Sequence, residues 1–529
     1  MLIQPKPITR KYEDIIRNIN EGFYQIPKFQ RDFVWKKEQV AKLIDSLIKG
    51  FPIGSFILWK TKERLRSLKK IGNYFLNDIK EGDFVLYVLD GQQRMTSLYL
   101  AINGVQIEKE DYKELYINLD KLETNEEICS IEKGKGNYIS FYDLMNASIV
   151  DLVNNFNKDL DKIHKIEKIR DWIKSYEFST IEIDDTSIER ITEIFTRINT
   201  TGKDLTLFEI MNAKVYDENK KFDLEDSYNN LIRELEISAY ETIAENKTII
   251  LQLLSLNLIK NSKTSAILSI NKNQFIDEWD NTIKALKLAI DKIRDYFKIE
   301  VSKLLPYYVL IVPIAYFYRI NDFKPPTNTQ LKQIERYFFR CAISWRFSSS
   351  VESKLNSDIK IIENIKNNIN VNFDKELPLQ NKQKDYFIEL LKEDFSSSNA
   401  FDKAVLCILA YNEPKKFSDN SKVRLDNSYL SIASSKNYHH FFPKAYLKRI
   451  NNTDNANALA NITLVDDYLN KRIIRDRNPQ EYIKYFEKEN SNIDEALKSH
   501  FIIHDDFVDY NLFLDKRANV LAEEILKRI

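Results

Sequence analysis

Glycine and proline are scarce in this 529-residue sequence, 10 and 12 in all, while Lys, Glu, Ile and Leu abound. That balance favours a helix-dominated fold over a sandwich or barrel. Cysteine is rarer still: Cys129, Cys341 and Cys407 stand far apart with no paired spacing. A disulfide framework and a zinc ribbon are thereby excluded, and a reduced, cytoplasmic setting is expected. Net charge is also missing, with 79 basic residues against 79 acidic ones. Global electrostatics give no steering toward nucleic acid, so any DNA-binding surface must be a local patch, and the neutral balance equally suits a protein with no polyanionic partner. No long hydrophobic run occurs. The most apolar stretch, Leu304 to Tyr318, is broken by Pro306 and Pro313, is too short for a bilayer and reads as a core helix. The first residues have no signal-peptide core, and no membrane association is expected.

What is present suggests three domains, because one hydrophobic core rarely serves a chain of this length. Residues 1–225 mix short strands with helices. Phe56 to Trp59 and Phe84 to Leu89 read as buried strands and Thr180 to Asp184 as a half-buried one. Lys37 to Ile48 carries apolar residues at helical spacing, and Arg94 to Ile102 and Ile188 to Ile198 are further helices. Residues 226–415 are almost wholly helical and read as a connecting scaffold; their aromatic residues Tyr337, Phe338, Phe339, Trp345 and Phe347 are expected in its core. The polar stretch Asn412 to Ser428 reads as a linker or ordered loop, and residues 416–529 form the third domain.

Three N-terminal motifs carry chemistry. The first runs Ile26-Pro27-Lys28-Phe29-Gln30-Arg31-Asp32-Phe33-Val34-Trp35, a polar pair among aromatics. The second, Asp90-Gly91-Gln92-Gln93-Arg94, closes a strand and opens a helix; the third passes from Phe195 through Asn199 and Gly202 to Leu205. A helix start presents unpaired N–H groups that attract phosphate, and Arg94 offers a bidentate grip. The plainer reading has Asp90 capping the helix and Arg94 pairing with it. No Gly-x-x-x-x-Gly-Lys-Ser/Thr sequence occurs, which excludes the ordinary phosphate loop.

Together with the Lys49 to Gly54 turn, these motifs resemble the N-terminal domain of GmrSD-type restriction enzymes, itself similar to the ParB nucleotide-binding fold. The resemblance implies an α+β domain that binds and hydrolyses a nucleoside triphosphate, GTP or ATP. Gln30, Arg31, Asp90, Gln92, Gln93 and Arg94 would line the site, Asp90 would serve turnover, and Asn199 and Gly202 would close on the phosphates.

At the other end, two of only five histidines are adjacent, in His439-His440-Phe441-Phe442-Pro443. Asn461-Ile462-Thr463-Leu464-Val465 follows, then Asp466, Asp467 and Asn470, an order that reads strand, loop, strand, helix. A ββα-metal nuclease needs a neutral His as general base, a divalent cation at the scissile phosphate and a residue that holds the ring. His440 suits the base and Asn461 its brace, with His439 and Asn470 as metal ligands. Packing of the paired rings beside Phe441 and Phe442 is the plainer reading. Lys436, Lys444, Lys448, Arg449, Lys471 and Arg472 flank the motifs and would meet phosphates. His500 and His504 read as surface residues.

This region resembles the HNH nuclease domain of the same GmrSD-type proteins. The resemblance implies a mainly α chain with α/β parts, ending in a ββα-metal domain that cuts double-stranded DNA, phage or modified, under nucleotide control. His439 stands where many relatives carry an acidic residue. Mg²⁺ and Mn²⁺ are the expected ions, and an imidazole ligand admits Ni²⁺ or Zn²⁺. The alternative is a nucleotide-dependent DNA-binding sensor or adaptor whose HNH domain no longer cuts. A homo-oligomer is compatible with either.

Overall fold

The computed structural model describes residues 4–30, 32–68, 70–72, 74–77, 79–80, 82–107, 109–124, 126–184, 188–198, 206–423, 438–465 and 474–529. The chain divides by its internal contacts into two compact units, Met1–Leu224 and Glu225–Ile529. It is mostly helical, with sheets in the first unit and a single strand pair in the second among the described residues. None of the described helices is long and apolar enough to cross a membrane.

The first unit is built on a mixed five-stranded sheet. Its strands are β1 (Lys6–Lys11), β2 (Tyr24–Gln25), β3 (Phe56–Thr61), a fourth over Val85–Asp90 and a fifth over Glu177–Asp184. In space the order is β1, Glu177–Asp184, β3, Val85–Asp90, β2. The β1–Glu177 and β3–Val85 pairings are antiparallel, and the β3–Glu177 and β2–Val85 pairings are parallel. The apolar runs read from the sequence are these strands: Phe56, Leu58, Trp59, Val85, Tyr87 and Val88 are all buried. Helix α1 (Tyr12–Asn20), helix α2 (Lys37–Ile48) and helix α3 (Gln92–Asn103) cover the sheet, and α2 buries Val40, Leu43, Ile44 and Leu47 as its 3.6-residue spacing requires.

The second unit contains both the stretch expected as a connecting scaffold and the stretch expected as a nuclease. Its helix Ile311–Ile320 packs against Thr248–Ile259, Lys272–Asp295 and Val351–Lys366, and every residue from Ile311 to Tyr318 is buried. The expected continuous helix over Leu304 to Tyr318 is not formed. Short 3-10 turns at Ser302–Leu304 and Tyr308–Leu310 lead into a helix that starts only at Ile311. Pro306 lies in the break, and Pro313 sits in the first turn, where a missing N–H costs little. Tyr337, Phe338, Phe339 and Phe347 are buried as expected of a core, while Trp345 is half-buried. The polar stretch after Asn412 is an ordered loop as far as residue 423, pinned by the buried ring of Phe417 against Phe441, Phe486 and His500.

Candidate functional site

The described parts of the three N-terminal motifs, far apart in sequence, meet in the first unit. Gln30 donates from Nε2 to the carbonyl of Val88, two residues before Asp90. Gln93 accepts from the Val34 N–H at 2.9 Å and donates to the Asp32 carbonyl at 3.1 Å, fastening the first motif to helix α3. Phe29 meets Phe195, from the helix Ile188–Ile198 that leads into the third motif, edge-to-face at 5.6 Å. Gln92 and Gln93 are both buried. Arg31, Asn199 and Gly202 lie outside the described residues.

Arg94 is the hub. Its guanidinium donates to the Ile53 carbonyl at 2.7 Å, the Ser55 carbonyl at 3.0 Å and the Asp90 carboxylate at 3.2 Å. The backbone around it depends on two glycines. Gly54 has φ +85°, and a Cβ there would sit 2.3 Å from Arg94 Nη1; Gly91 has φ +90°, and its Cβ would sit 2.5 Å from the Phe56 ring. Asp90 does pair with Arg94 but does not cap the helix, whose N-cap is Gly91 with no side-chain bond. Three of the five N–H donors of Arg94 are therefore spent on holding the strand end, the turn and the helix start together.

In the second unit, the strand His439–His440 pairs antiparallel with Ile462–Thr463, His439 opposite Thr463 and His440 opposite Ile462. A short helix, Lys444–Arg449, intervenes in the connection between them. Both rings are enclosed: His439 is 2% exposed and packs edge-on to Tyr482, and His440 is 8% exposed. Burial pushes the His440 imidazole down to about 4, with the nearby Lys444 charge adding to it and the Asn457 bond opposing it. The ring is neutral at physiological pH, as a general base must be.

The amide on His440 is not that of Asn461. His440 Nε2 lies 3.0 Å from Asn457 Oδ1. Asn461 instead grips the chain just beyond the base, accepting from the Phe442 N–H at 2.9 Å and donating to the carbonyls of Phe442 and Ala456 at 3.0 and 3.1 Å. Asn461 therefore shapes the loop, and Asn457 holds the ring. Asn470, the second expected metal ligand, lies outside the described residues, as do Lys436, Lys471 and Arg472. Among the described residues no group of three or more His, Cys, Asp or Glu converges on one point, so His439 is the one expected ligand whose place is known. Lys444, Lys448 and Arg449 are exposed on the short helix after the base, and Arg449 pairs with Asp476 at 3.1 Å.

His500 departs from expectation most. It is fully buried rather than on the surface, behind the second strand. Its Nδ1 faces Thr463 Oγ1 at 2.6 Å and its Nε2 the Lys415 carbonyl at 2.8 Å. Arg517, also buried, donates to the carbonyls of His500 and of Ala460, the latter at 2.7 Å. His504 does lie at the surface, between Glu487 and Asp494.

Support for the Asn457 loop comes from the segment before helix Ala400–Tyr411. Phe395 N–H donates to the Asn457 carbonyl at 2.8 Å, Leu459 N–H donates to the Glu393 carbonyl at 3.0 Å, and Asp402 accepts from the Ser396 N–H at 2.7 Å. Burial raises the Asp402 carboxyl to about 6, with Glu393 adding and the Ser396 bond opposing. Because the folded state binds this proton more tightly than the unfolded one, stability is lost as pH rises from about 4 through 6. Asp402→Asn keeps an acceptor for Ser396 and should raise stability at pH 7.5 by roughly 1–2 kcal/mol in urea titrations. The gain should shrink below pH 6 and vanish near pH 4; a gain that is independent of pH would refute the assignment.

Residues 12–216 match the family described as GmrSD restriction endonuclease, N-terminal domain, a stretch that lies within the first unit and holds all three motifs. Over nearly its whole length the chain is similar to Uncharacterized protein MJ0686 of Methanocaldococcus jannaschii, 24% identical across 592 aligned residues that cover 98% of this chain and 99% of that protein.

Proposed function

We propose that this chain is a nucleotide-regulated, metal-dependent DNA endonuclease of a restriction-like defence system. The first unit would bind GTP or ATP through a ParB-like site, and the second would nick or cleave DNA through an HNH-type site. The observation that carries the nuclease half is a neutral imidazole, His440, on a two-strand ladder, held by an amide and followed by a helix with exposed Lys444, Lys448 and Arg449. The restriction-endonuclease match over residues 12–216 supplies the biological class. His440 would take the proton from the attacking water, and the cations would seat the phosphodiester backbone. A bound divalent ion would supply charge stabilisation at the scissile phosphate. His439 and Asn470 would hold it.

The burial of both imidazole rings favours a second reading, a DNA-binding sensor or adaptor that does not cut. One assay separates them. The full chain is incubated with modified and unmodified phage DNA, crossing Mg²⁺, Mn²⁺, Ni²⁺, Zn²⁺ and chelator with ATP, GTP and no nucleotide. Nicked or linear product that requires a metal and varies with nucleotide supports the endonuclease. Nucleotide-dependent retention of DNA with no product under any metal would leave the adaptor.

A further inference from the structure

The Asn457 amide is fixed from both ends. Its Nδ2 donates to the Phe395 carbonyl at 3.1 Å, so its Oδ1 is the atom that faces His440 Nε2. An amide oxygen only accepts, so Nε2 must carry the ring proton. A neutral imidazole has one N–H and one lone pair, which leaves the lone pair on Nδ1. The grip does not end at Asn457. Phe395 binds its backbone a second time through N–H to carbonyl, Asp394 bridges Ala458, and the Phe395 ring meets Tyr438, two residues before the base, at 4.9 Å.

We infer that Asn457 is the positioning residue that selects the working tautomer of His440, making Nδ1 the proton-accepting atom, and that the backbone of Phe395 holds it in that role. The inference rests on the nuclease reading for its catalytic part and on the hydrogen-bond geometry for its tautomer. Asn457 touches no reacting atom in this account; it acts through the ring. The arrangement also makes the segment 393–396, contributed from outside the strand pair, part of the catalytic support.

Two measurements test it on the full chain with nitrogen-15 in its histidines. Imidazole correlations, with the His440 signals assigned by their loss in a His440 variant, should show wild-type His440 as the Nε2–H tautomer at pH 7.5. Asn457→Ala should abolish that preference and lower kcat for DNA cleavage by roughly a hundredfold, with KM changed less than about threefold. Asn457→Asp keeps an oxygen acceptor for Nε2–H while losing the bond to the Phe395 carbonyl, and should restore the tautomer and part of the lost kcat, a rescue that a merely structural role would not give. An Nδ1–H tautomer in the wild type, or an unchanged tautomer and rate in Asn457→Ala, overturns the inference, and the wild-type spectrum decides even if the alanine variant fails to fold. Absence of cleavage by the wild-type chain would remove the base assignment together with the nuclease reading, while the tautomer result is read separately.

Discussion

Cleavage by the full chain should fall about a thousandfold when His440 is replaced by alanine, the scale lost when a general base leaves a hydrolytic site. Alanine also strips the Asn457 oxygen of its partner in a nearly closed space, so a stability loss of about 1–3 kcal/mol should accompany it. His440→Gln separates the two effects: its side-chain amide can donate to Asn457 Oδ1 but has no basic nitrogen. Activity should be lost in both variants, and stability should recover in the glutamine variant. Retained cutting by His440→Gln, in protein free of contaminating nuclease, would show that another group takes the proton. Acid should act on this site through folding before it acts through protonation. Burial holds His440 and His500 down to about 4, below the 6.5 of a free imidazole. The unfolded chain therefore binds more protons as pH falls from 6.5 toward 4, and stability drains over that window by up to about 3 kcal/mol for each ring. Cleavage that persists at pH 6 and disappears together with the folded state near pH 4–5 is the expected profile.

How much of this was legible in the sequence depends on the range of the interactions. Local pattern placed the helices Lys37–Ile48 and Ile188–Ile198 and the strand around Thr180 by burial of one face in a regular rhythm, and the helix Gln92–Asn103 and the strands around Phe56 and Val85 by apolar runs buried on more than one side. The pairing of His439–His440 with Ile462–Thr463 follows from two short strand signals close in sequence. The partners of those strands were not legible. Asn457 stands two residues after a polar run, Asn451-Asn452-Thr453-Asp454-Asn455, that looks like solvent-exposed turn, and its grip by Phe395 is a backbone contact that no side-chain pattern announces. His500 reads as a surface residue beside His504, four positions on; Thr463 and the Lys415 carbonyl, both distant in sequence, hold its ring in the interior. Arg517 left a usable trace. It stands four residues after Phe513 and four before Leu521 on the last helix, so helical spacing alone puts its head among buried side chains. A cation at that position demands acceptors, and the carbonyls of Ala460 and His500 are what it finds.

Arg94 tests whether the Asp-Gly-Gln-Gln-Arg motif works by contact with a ligand or by building the platform for one. Its three bonds tie the Ile53–Ser55 turn to the strand end at Asp90, and two of the acceptors are backbone carbonyls with no rotamer by which to escape. Arg94→Ala should therefore destabilise the first unit by about 3 kcal/mol, the scale of removing one partner from a partly buried charged network. Arg94→Lys should recover only a part, because a single ammonium cannot span three oxygens that a planar fork reaches together. Asp90→Asn keeps an acceptor for Arg94 and should cost under about 1 kcal/mol. Urea titration of each variant, beside fluorescence binding of a labelled guanine or adenine nucleotide, gives the comparison. If Arg94 is the latch and Asp90 serves the nucleotide, stability falls mainly in the arginine variants, while Asp90→Asn stops phosphate release in a folded chain. Unchanged stability in Arg94→Ala, with nucleotide binding lost, would move Arg94 from the platform into the binding site itself.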